Sequence, residues 1–491
     1  MAQHWSSLQE AIFSAVEQND TNIIVQSVAG SGKTTTSVEA ARRAQGTKVM
    51  LAFNKAIATE LCARGANAKT FHSVTYGPVA RWKEQNQVDT NKVRRVFRSL
   101  PGRDNFNYAK FCTRLVGLAR QAGIGCLVAD TENAWLEIVN HHALEFDNIE
   151  CDLGRGIELS QQLLDACNDD YAFDFDDMLY LAVKHKLALP RYDWVFVDEA
   201  QDTNAIQREI LRLMMHDKSH IVAVGDKNQA IYGFRGASAD SMQLIEREFD
   251  CVPLPLNISY RCPTSVVKYA HTWVPNIEAA PDAKDGIVRH LNKWDLKVFE
   301  PGDLIICRTS RSLVALGFKL IREQIPARIE GQDIGENLKA LVKKMNAQNL
   351  DDLGARLITW RDREAQKCLA NDEPEKAEAV LDKAEALLSV IDGMPEDMRT
   401  IEQMLSVLDY LFQNHGNAVV KLSTIHKAKG TEAKRVYWLN RSKCPAKWAR
   451  QDWQKQEENN LCYVATTRAM EELIFIEDDG ISIEKRGEVA V

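Results

Sequence analysis

The feature that most constrains the fold is a glycine-rich segment, residues 29–34 (Ala-Gly-Ser-Gly-Lys-Thr), which lies between a strand pattern and a helix pattern. Residues 22–27 have the apolar composition of a short buried strand, and residues 35–44 have the composition of a helix. The two glycines allow the backbone to turn its N–H groups toward an anion at the helix N-terminus. The segment therefore predicts a phosphate-binding loop in an α/β protein.

The last two residues of this loop have separate predicted roles. Lys33 supplies positive charge for the β- and γ-phosphates, and the Thr34 hydroxyl can ligate Mg²⁺. The general pattern G-x-x-x-x-G-K-[ST] has a glycine where this chain has Ser27, so the strict motif is missed by one residue. The alternative is a chance Gly-Ser-Gly-Lys-Thr in a flexible linker, and the flanking strand and helix argue against it.

Two adjacent acidic residues follow a second β-forming run. Residues 194–197 form a predicted strand that ends directly before Asp198 and Glu199, and a polar turn follows. One carboxylate can hold Mg²⁺ through water while the other orients or deprotonates an attacking water. Alone, such a pair usually marks a strand end that meets solvent. Together with the upstream phosphate loop, it indicates a nucleoside triphosphatase.

Composition limits the class of protein. A chain of 491 residues is too long for one core, so three or four domains are expected. The net charge of −8 gives no global attraction to nucleic acid, so any nucleic-acid site must be a local groove. The eleven cysteines contain no C-x-x-C pair, which favours reduced thiols over zinc or iron–sulfur sites. No signal peptide or membrane-spanning run is evident, so a cytoplasmic protein without membrane contact is expected.

Alternating strand and helix patterns predict two parallel-sheet domains, each interrupted by a helical segment. The first domain is predicted at 1–84 and 172–250, with a helical insertion at 85–171. The second is predicted at 251–330 and 416–491, with a short helical accessory domain at 331–415 whose residues 375–388 form an amphipathic helix. The strand candidates are residues 23–26, 49–53, 194–197, 221–224, 286–291, 303–308, 418–423, 435–439 and 473–476.

Further blocks stand in the order found in superfamily 1 helicases, and together they resemble the UvrD/Rep/PcrA branch. Residues 224–237 resemble motif III of that branch, 257–263 motif IV, 424–432 motif V and 463–469 motif VI. Weaker matches are Gln9 for the Q-motif, 51–56 for motif Ia, 70–73 for motif Ib, and 174–179 for a stretch before motif II. Any one block alone would be weak, but the set is specific and runs from residue 9 to about 470.

The resemblance implies two RecA-like motor domains that bind ATP and Mg²⁺ between them. It implies that Gln9 reads the adenine edge, Tyr260 stacks on the base and Glu432 touches the ribose. The implied catalytic residues are Lys33, Glu199, Gln229, Arg261 and Arg468, and the implied metal ligands are Thr34 and Asp198. The implied nucleotide-binding residues are Gln9, Ala29, Gly30, Ser31, Gly32, Lys33, Thr34, Thr35, Tyr260 and Glu432. The implied DNA-binding residues are Phe53, Phe71, His72, Phe234, Arg235 and His426, and a core position remains an alternative for Phe234.

The resemblance further implies an ATP-dependent DNA helicase that translocates 3′ to 5′ on single-stranded DNA and acts at duplex junctions. Its polarity rests on the branch alone. The alternative is a nucleic-acid-stimulated ATPase subunit that senses or recruits within a larger complex, and an RNA-directed motor is disfavoured only by the branch. A monomer is expected. A protein loading partner and the biological pathway remain open.

Overall fold

The computed structural model divides the chain into two compact units, Met1–Asn257 and Ile258–Val491. It describes residues 4–142, 144, 146, 151–231, 240–370, 374–395, 399–413, 416 and 419–478. Each unit contains a six-stranded sheet in which all paired strands run parallel. The predicted α/β class with two parallel-sheet domains is therefore confirmed.

The first unit alternates strands with helices along the chain. Its strands are β1 (Asn22–Ser27), β2 (Lys48–Ala52), β3 (Ala68–Thr70), β4 (Trp194–Val197), β5 (His220–Gly225) and β6 (Cys251–Leu256). Its helices are α1 (Ser7–Gln18), α2 (Lys33–Arg43), α3 (Lys55–Ala63), α4 (Phe71–Trp82), α5 (Lys92–Ser99), α6 (Ala109–Ala122), α7 (Glu132–His141), α8 (Leu153–Asp169), α9 (Phe175–Lys184), α10 (Ala205–Leu213) and α11 (Ser241–Glu248).

The strand order of the first sheet is β3-β2-β4-β5-β1-β6. Successive residues of β1 point into different cores: Ile24 joins one hydrophobic cluster, while Ile23 and Val25 join another. Both faces of the sheet are thus covered, as the continuous apolar runs of its strands require. Because β4, β5 and β1 are neighbours, their carboxyl ends bring three loops to one edge of the sheet.

One predicted boundary of the first unit is wrong. The segment from Cys251 was assigned to the second domain, but β6 pairs in parallel with the whole length of β1. Its end residues Cys251 and Leu256 are buried in the cores of the first unit. The first unit therefore extends to Asn257.

The second unit repeats the parallel-sheet plan. Its strands are β7 (Ile258–Ser259), β8 (Glu278–Ala279), β9 (Ile287–Leu291), β10 (Leu304–Cys307), β11 (Ala327–Ile329), β12 (Val420–Thr424), β13 (Ala433–Leu439) and β14 (Ala469–Ile476). Its helices are α12 (Thr264–Ala270), α13 (Ser310–Arg322), α14 (Gln332–Met345), α15 (Leu350–Ala370), α16 (Pro374–Gly393), α17 (Ile401–Phe412) and α18 (Asp452–Thr466). The large sheet has the order β11-β12-β10-β13-β14-β9, and β7 pairs separately with β8.

The helices predicted as an accessory domain at 331–415 share a core with this sheet. Leu387 and Val390 of α16 belong to the same buried cluster as Ile305 of β10 and Leu422 of β12. A Cβ on Gly393, at the end of α16, would lie 2.5 Å from Phe318 of α13, so the glycine permits close packing there. These helices are therefore part of the second unit and do not form a separately packed domain.

None of the helices in the described part of the chain combines the length and the apolar character needed to cross a bilayer.

Candidate nucleotide site and candidate DNA cleft

The loop between β1 and α2 has the backbone geometry of an anion cradle. Gly30 and Gly32 adopt φ values of +72° and +78°, a region that favours glycine. Gly32 is the N-cap of α2 and contributes no side-chain cap, so the first N–H groups of the helix remain available to an anion. The buried Ser31 hydroxyl finds no hydrogen-bond partner among the described residues. An orphaned donor at a helix N-terminus fits a phosphate oxygen.

Thr34 and Asp198 meet beside this cradle. The Thr34 hydroxyl donates to Asp198 Oδ2 at 3.1 Å, joining the first turn of α2 to the end of β4. Two adjacent hard oxygens fit Mg²⁺, which uses few protein ligands and otherwise keeps water and phosphate oxygens. The described residues contain no cluster of three or more histidine, cysteine or acidic side chains that could hold a metal. The pair therefore suits a magnesium ion shared with a nucleotide.

Lys33 is electrostatically close to two buried carboxylates. Burial raises the pKa of Asp198, and the neighbouring Glu199 adds to that rise, whereas Lys33 and Thr34 oppose it. Burial also raises the pKa of Asp226, in the turn after β5, and Lys33 again opposes the rise. The lysine thus lies among the carboxyl ends of the strands, as a phosphate-binding lysine must.

Glu199 begins a connected set of hydrogen bonds between the turn after β4 and the turn after β5. Its backbone is left-handed, with φ of +53°, which costs a non-glycine residue on the order of 1–3 kcal/mol. Its carboxylate accepts a hydrogen bond from Gln201, whose carbonyl oxygen accepts from the Asp226 N–H at 3.1 Å. The Asp226 carboxylate accepts from Gln229 Nε2 at 2.7 Å. The predicted residues Glu199 and Gln229 are therefore linked.

Two predicted nucleotide contacts of the first unit already bind protein atoms. Gln9 is buried, and its amide donates to Thr36 Oγ1 at 2.9 Å while its carbonyl oxygen accepts from the Ser6 N–H at 3.0 Å. It caps α1 and ties that helix to α2. The Thr35 hydroxyl accepts a long hydrogen bond from Arg64 at 3.4 Å. Ala29 is fully buried in the loop, and only its backbone can serve a ligand.

Four predicted nucleotide residues belong to the second unit. Arg261 forms an ion pair with Glu432, with Nε and Oε2 2.5 Å apart. Tyr260 is 49 % exposed, so its ring can receive a base. Tyr260 and Arg261 line a cleft of 270 Å³ in this unit.

Arg468, implied by the resemblance to act on the nucleotide, has a buried side chain. It is 1 % exposed and donates to Val464 O, Thr431 O and Thr467 Oγ1 at 2.9, 3.2 and 3.1 Å. Burial and then the charge of Arg261 lower the pKa of Arg468 to about 10, so the guanidinium is still protonated at neutral pH. Its acceptors are all neutral, and the buried charge suits an anion.

The structure brings together two of the predicted DNA-binding residues. Phe53, after β2, and His72, in the first turn of α4, line one cleft of 290 Å³ in the first unit. Burial lowers the pKa of His72, so the ring is neutral at physiological pH. His426 lies in the turn after β12 of the second unit, half-buried. Phe234 and Arg235 lie outside the described residues.

The prediction that Phe71 contacts DNA is wrong. Its ring is 3 % exposed and packs in the core of the first unit, because α4 begins at this residue and turns it inward. Phe175, at the start of α9, is instead 53 % exposed, and its ring meets His72 edge to face at 5.9 Å between centroids. The family resemblance of residues 174–179 implies no role for Phe175. An aromatic residue directly after a capping Asp174 was the available signal.

Family models match both units. The UvrD/REP helicase N-terminal domain matches residues 8–250, and the UvrD-like helicase C-terminal domain matches residues 332–479. This chain belongs to the UvrD/Rep helicase family. The resemblance inferred from the motifs is thereby confirmed.

Individual members of the UvrD/Rep family match over shorter stretches. DNA helicase II of Haemophilus influenzae is 27% identical over 207 residues, which is 36% of this chain and 28% of that protein. ATP-dependent DNA helicase Rep of Escherichia coli is 30% identical over 122 residues, or 23% of this chain and 18% of that protein. DNA helicase II of Escherichia coli is 31% identical over 125 residues, which is 24% of this chain and 17% of that protein. The aligned regions thus cover less than a third of each relative.

Proposed function

We propose that this UvrD/Rep family member is an ATP-dependent DNA helicase that translocates 3′ to 5′ on single-stranded DNA. The observation that carries the proposal is one sheet edge in the first unit. There a phosphate loop, the Thr34–Asp198 contact and the Glu199–Gln201–Asp226–Gln229 hydrogen bonds meet. The names of the aligned relatives supply the reaction class, since they are DNA helicases.

For hydrolysis, we assign each residue of this edge one task. Backbone N–H groups of Gly30, Gly32 and Lys33 and the Lys33 ammonium would hold the phosphates, and Thr34 and Asp198 would hold Mg²⁺. When bound, Mg²⁺ neutralises charge on the β- and γ-phosphate oxygens. Glu199 orients and deprotonates the attacking water. For Arg261 and Arg468, which belong to the second unit, we propose that their positive charge stabilises the transferred phosphate.

For the strand, we assign the cleft lined by Phe53 and His72, together with the neighbouring ring of Phe175. A single-strand site without sequence preference needs aromatic faces on which bases stack, and Phe175 offers an exposed one. The net charge of −8 is consistent with a track that relies on stacking in a local groove.

The test compares ATP turnover of the full chain without nucleic acid, with single-stranded DNA and with single-stranded RNA. Unwinding is then measured on duplexes that carry either a 3′ or a 5′ single-stranded tail. The proposal expects stimulation by DNA and unwinding of the 3′-tailed duplex, since a motor moving 3′ to 5′ loads there. Stimulation without unwinding of either duplex would favour the alternative, an ATPase subunit within a larger complex. Preference for the 5′ tail would overturn the polarity.

Phe175→Ala is expected to weaken single-strand affinity by roughly 1–3 kcal/mol, because a stacking face is lost. Its half-exposed ring contributes little to the core, so the melting temperature should stay near that of the wild type. Phe71→Ala is the matched comparison: a buried ring is removed, and a loss of about 3–5 kcal/mol in unfolding free energy is expected. Fluorescence titration with a labelled oligonucleotide measures the strand affinity of each variant, and thermal melting measures its stability. Equal strand affinity for Phe175→Ala and wild type would remove Phe175 from the track.

A further inference from the structure

The side chain of Gln201 joins Glu199, the proposed general base, to the turn that follows β5. It is 1 % exposed, and its amide group donates to Glu199 Oε2. Its carbonyl oxygen accepts from the Asp226 N–H at 3.1 Å, so both ends of the amide are engaged. Asp226 in turn caps the residues that follow it, accepting from the Asn228 N–H at 3.0 Å and from Gln229 Nε2 at 2.7 Å.

The surroundings are shaped to admit this side chain. Gly225, the last residue of β5, has no Cβ, and one built there would lie 2.6 Å from Gln201 Oε1. The same Cβ would lie 2.7 Å from Met242 Sδ and 3.1 Å from the Gln201 backbone N. A side chain at position 225 is thus incompatible with the amide where it stands. The short 3₁₀ turn Ala200–Asp202 that carries Gln201 is anchored further on, where Ser241 Oγ donates to Thr203 O at 2.6 Å.

A buried glutamine commonly serves only to satisfy orphaned backbone groups. Two observations separate Gln201 from that ordinary role. Its donor goes to an ionisable carboxylate, which makes a stronger hydrogen bond than a neutral acceptor. That carboxylate belongs to Glu199, whose left-handed backbone must be held by its surroundings.

We infer that Gln201 is a positioning residue that fixes the Glu199 carboxylate for water activation and links it to the 226–229 turn. The inference rests on the proposed function, in which Glu199 acts on the attacking water. A displacement of the 226–229 turn would move the Asp226 N–H, and through the Gln201 amide it would move the Glu199 carboxylate.

The first test is Gln201→Met in the full chain, because methionine keeps the length of the side chain and removes both hydrogen bonds. The turnover number for ATP in the presence of single-stranded DNA is expected to fall about 10–100-fold, the usual cost of losing a group that orients a catalytic one. The KM for ATP should stay within about twofold, since the phosphate loop is untouched. If Gln201 only occupied space in the core, Gln201→Met would keep wild-type turnover. That result would overturn the inference.

The second test is Gly225→Ala, which places a methyl group against Gln201 Oε1 without changing any polar group. It should lower turnover as Gln201→Met does. In a Gln201→Ala background the contact with Oε1 is gone and only those with Met242 Sδ and the Gln201 backbone N remain, so adding Gly225→Ala should cost less than it does in the wild type. Groups acting through one contact give such non-additive losses, whereas independent effects add. Additive losses would overturn the link, and thermal melting of each variant identifies any that fail to fold.

The third measurement is the ratio of ATP turnover with and without single-stranded DNA. Gln201→Met is expected to lower turnover both with and without DNA, because the Glu199 carboxylate acts in both cases. If the wild type itself shows no stimulation, the proposed function fails, and the basal turnover of Gln201→Met still tests whether Glu199 needs its amide. If the wild type is stimulated by DNA and Gln201→Met keeps wild-type turnover with and without DNA, the positioning role of Gln201 is wrong.

Discussion

Lys33→Ala is expected to abolish ATP turnover, because the loop loses the ammonium group directed at the β- and γ-phosphates. Lys33 also opposes the rise in pKa that burial imposes on Asp198 and Asp226, so its removal leaves two buried carboxyl groups without their nearest cation. Both ATP affinity and turnover should fall. Steady-state ATPase assays and equilibrium binding of a fluorescent ATP analogue measure the two effects.

The matched control for charge is Lys218→Ala, since Lys218 is exposed in the turn that precedes β5, at the opposite end of that strand. Its turnover should equal that of the wild type.

Glu199→Gln provides the complementary result: ATP should still bind, while the chemical step slows by roughly 10²–10⁴-fold, because an amide cannot accept the proton of the attacking water. Normal turnover in Lys33→Ala or Glu199→Gln would contradict the hydrolytic assignment, and lost binding in Glu199→Gln would give Glu199 a structural role.

Much of the fold was predictable because the local signals are strong. Each of the nine predicted strands overlaps an observed strand, and β4 was predicted at its observed bounds, Trp194–Val197. Buried parallel strands are continuous apolar runs, and glycine and lysine at the end of β1 mark a phosphate loop by chemistry that needs no tertiary information. Strands of two or three residues, such as β3 and β7, carry too little pattern to be recognised.

The remaining errors concern tertiary contacts that a one-dimensional pattern does not contain. No strand candidate covers β6, and only its pairing with β1 assigns it to the first unit. The start of α4 decides that Phe71 points inward, and packing on α9 decides that Phe175 remains exposed. Gln201 lies in the polar turn after Glu199, and its amide becomes informative only when Asp226 is brought beside it.

Arg468→Ala and Arg261→Ala are each expected to reduce ATP turnover by roughly 10³-fold or more if both side chains stabilise the transferred phosphate. The structure separates their effects on stability. Arg261 is partly exposed and is held by an ion pair with Glu432, so its removal should leave the melting temperature nearly unchanged. Arg468 is buried, and its removal takes a donor from Thr431 O and one of the two side-chain donors from Val464 O. A buried group left unsatisfied costs about 1–3 kcal/mol, so Arg468→Ala should also melt earlier.

Arg468→Lys distinguishes a loss of ATP turnover that comes from missing catalytic contacts from one that comes from reduced stability. Lysine keeps the charge but lacks the planar fork that reaches three acceptors, so stability should recover only in part and turnover should remain low. Arg289→Ala is the control, because Arg289 pairs with Glu472 on an exposed face of the same unit, and turnover should be unaffected. Turnover and thermal melting are measured on all four proteins. Wild-type turnover in folded Arg261→Ala and Arg468→Ala would mean that the first unit hydrolyses ATP alone. A loss in Arg468→Ala that scales with its unfolded fraction would make Arg468 a structural residue, since a buried guanidinium bound to carbonyl oxygens then serves only to hold motif VI together.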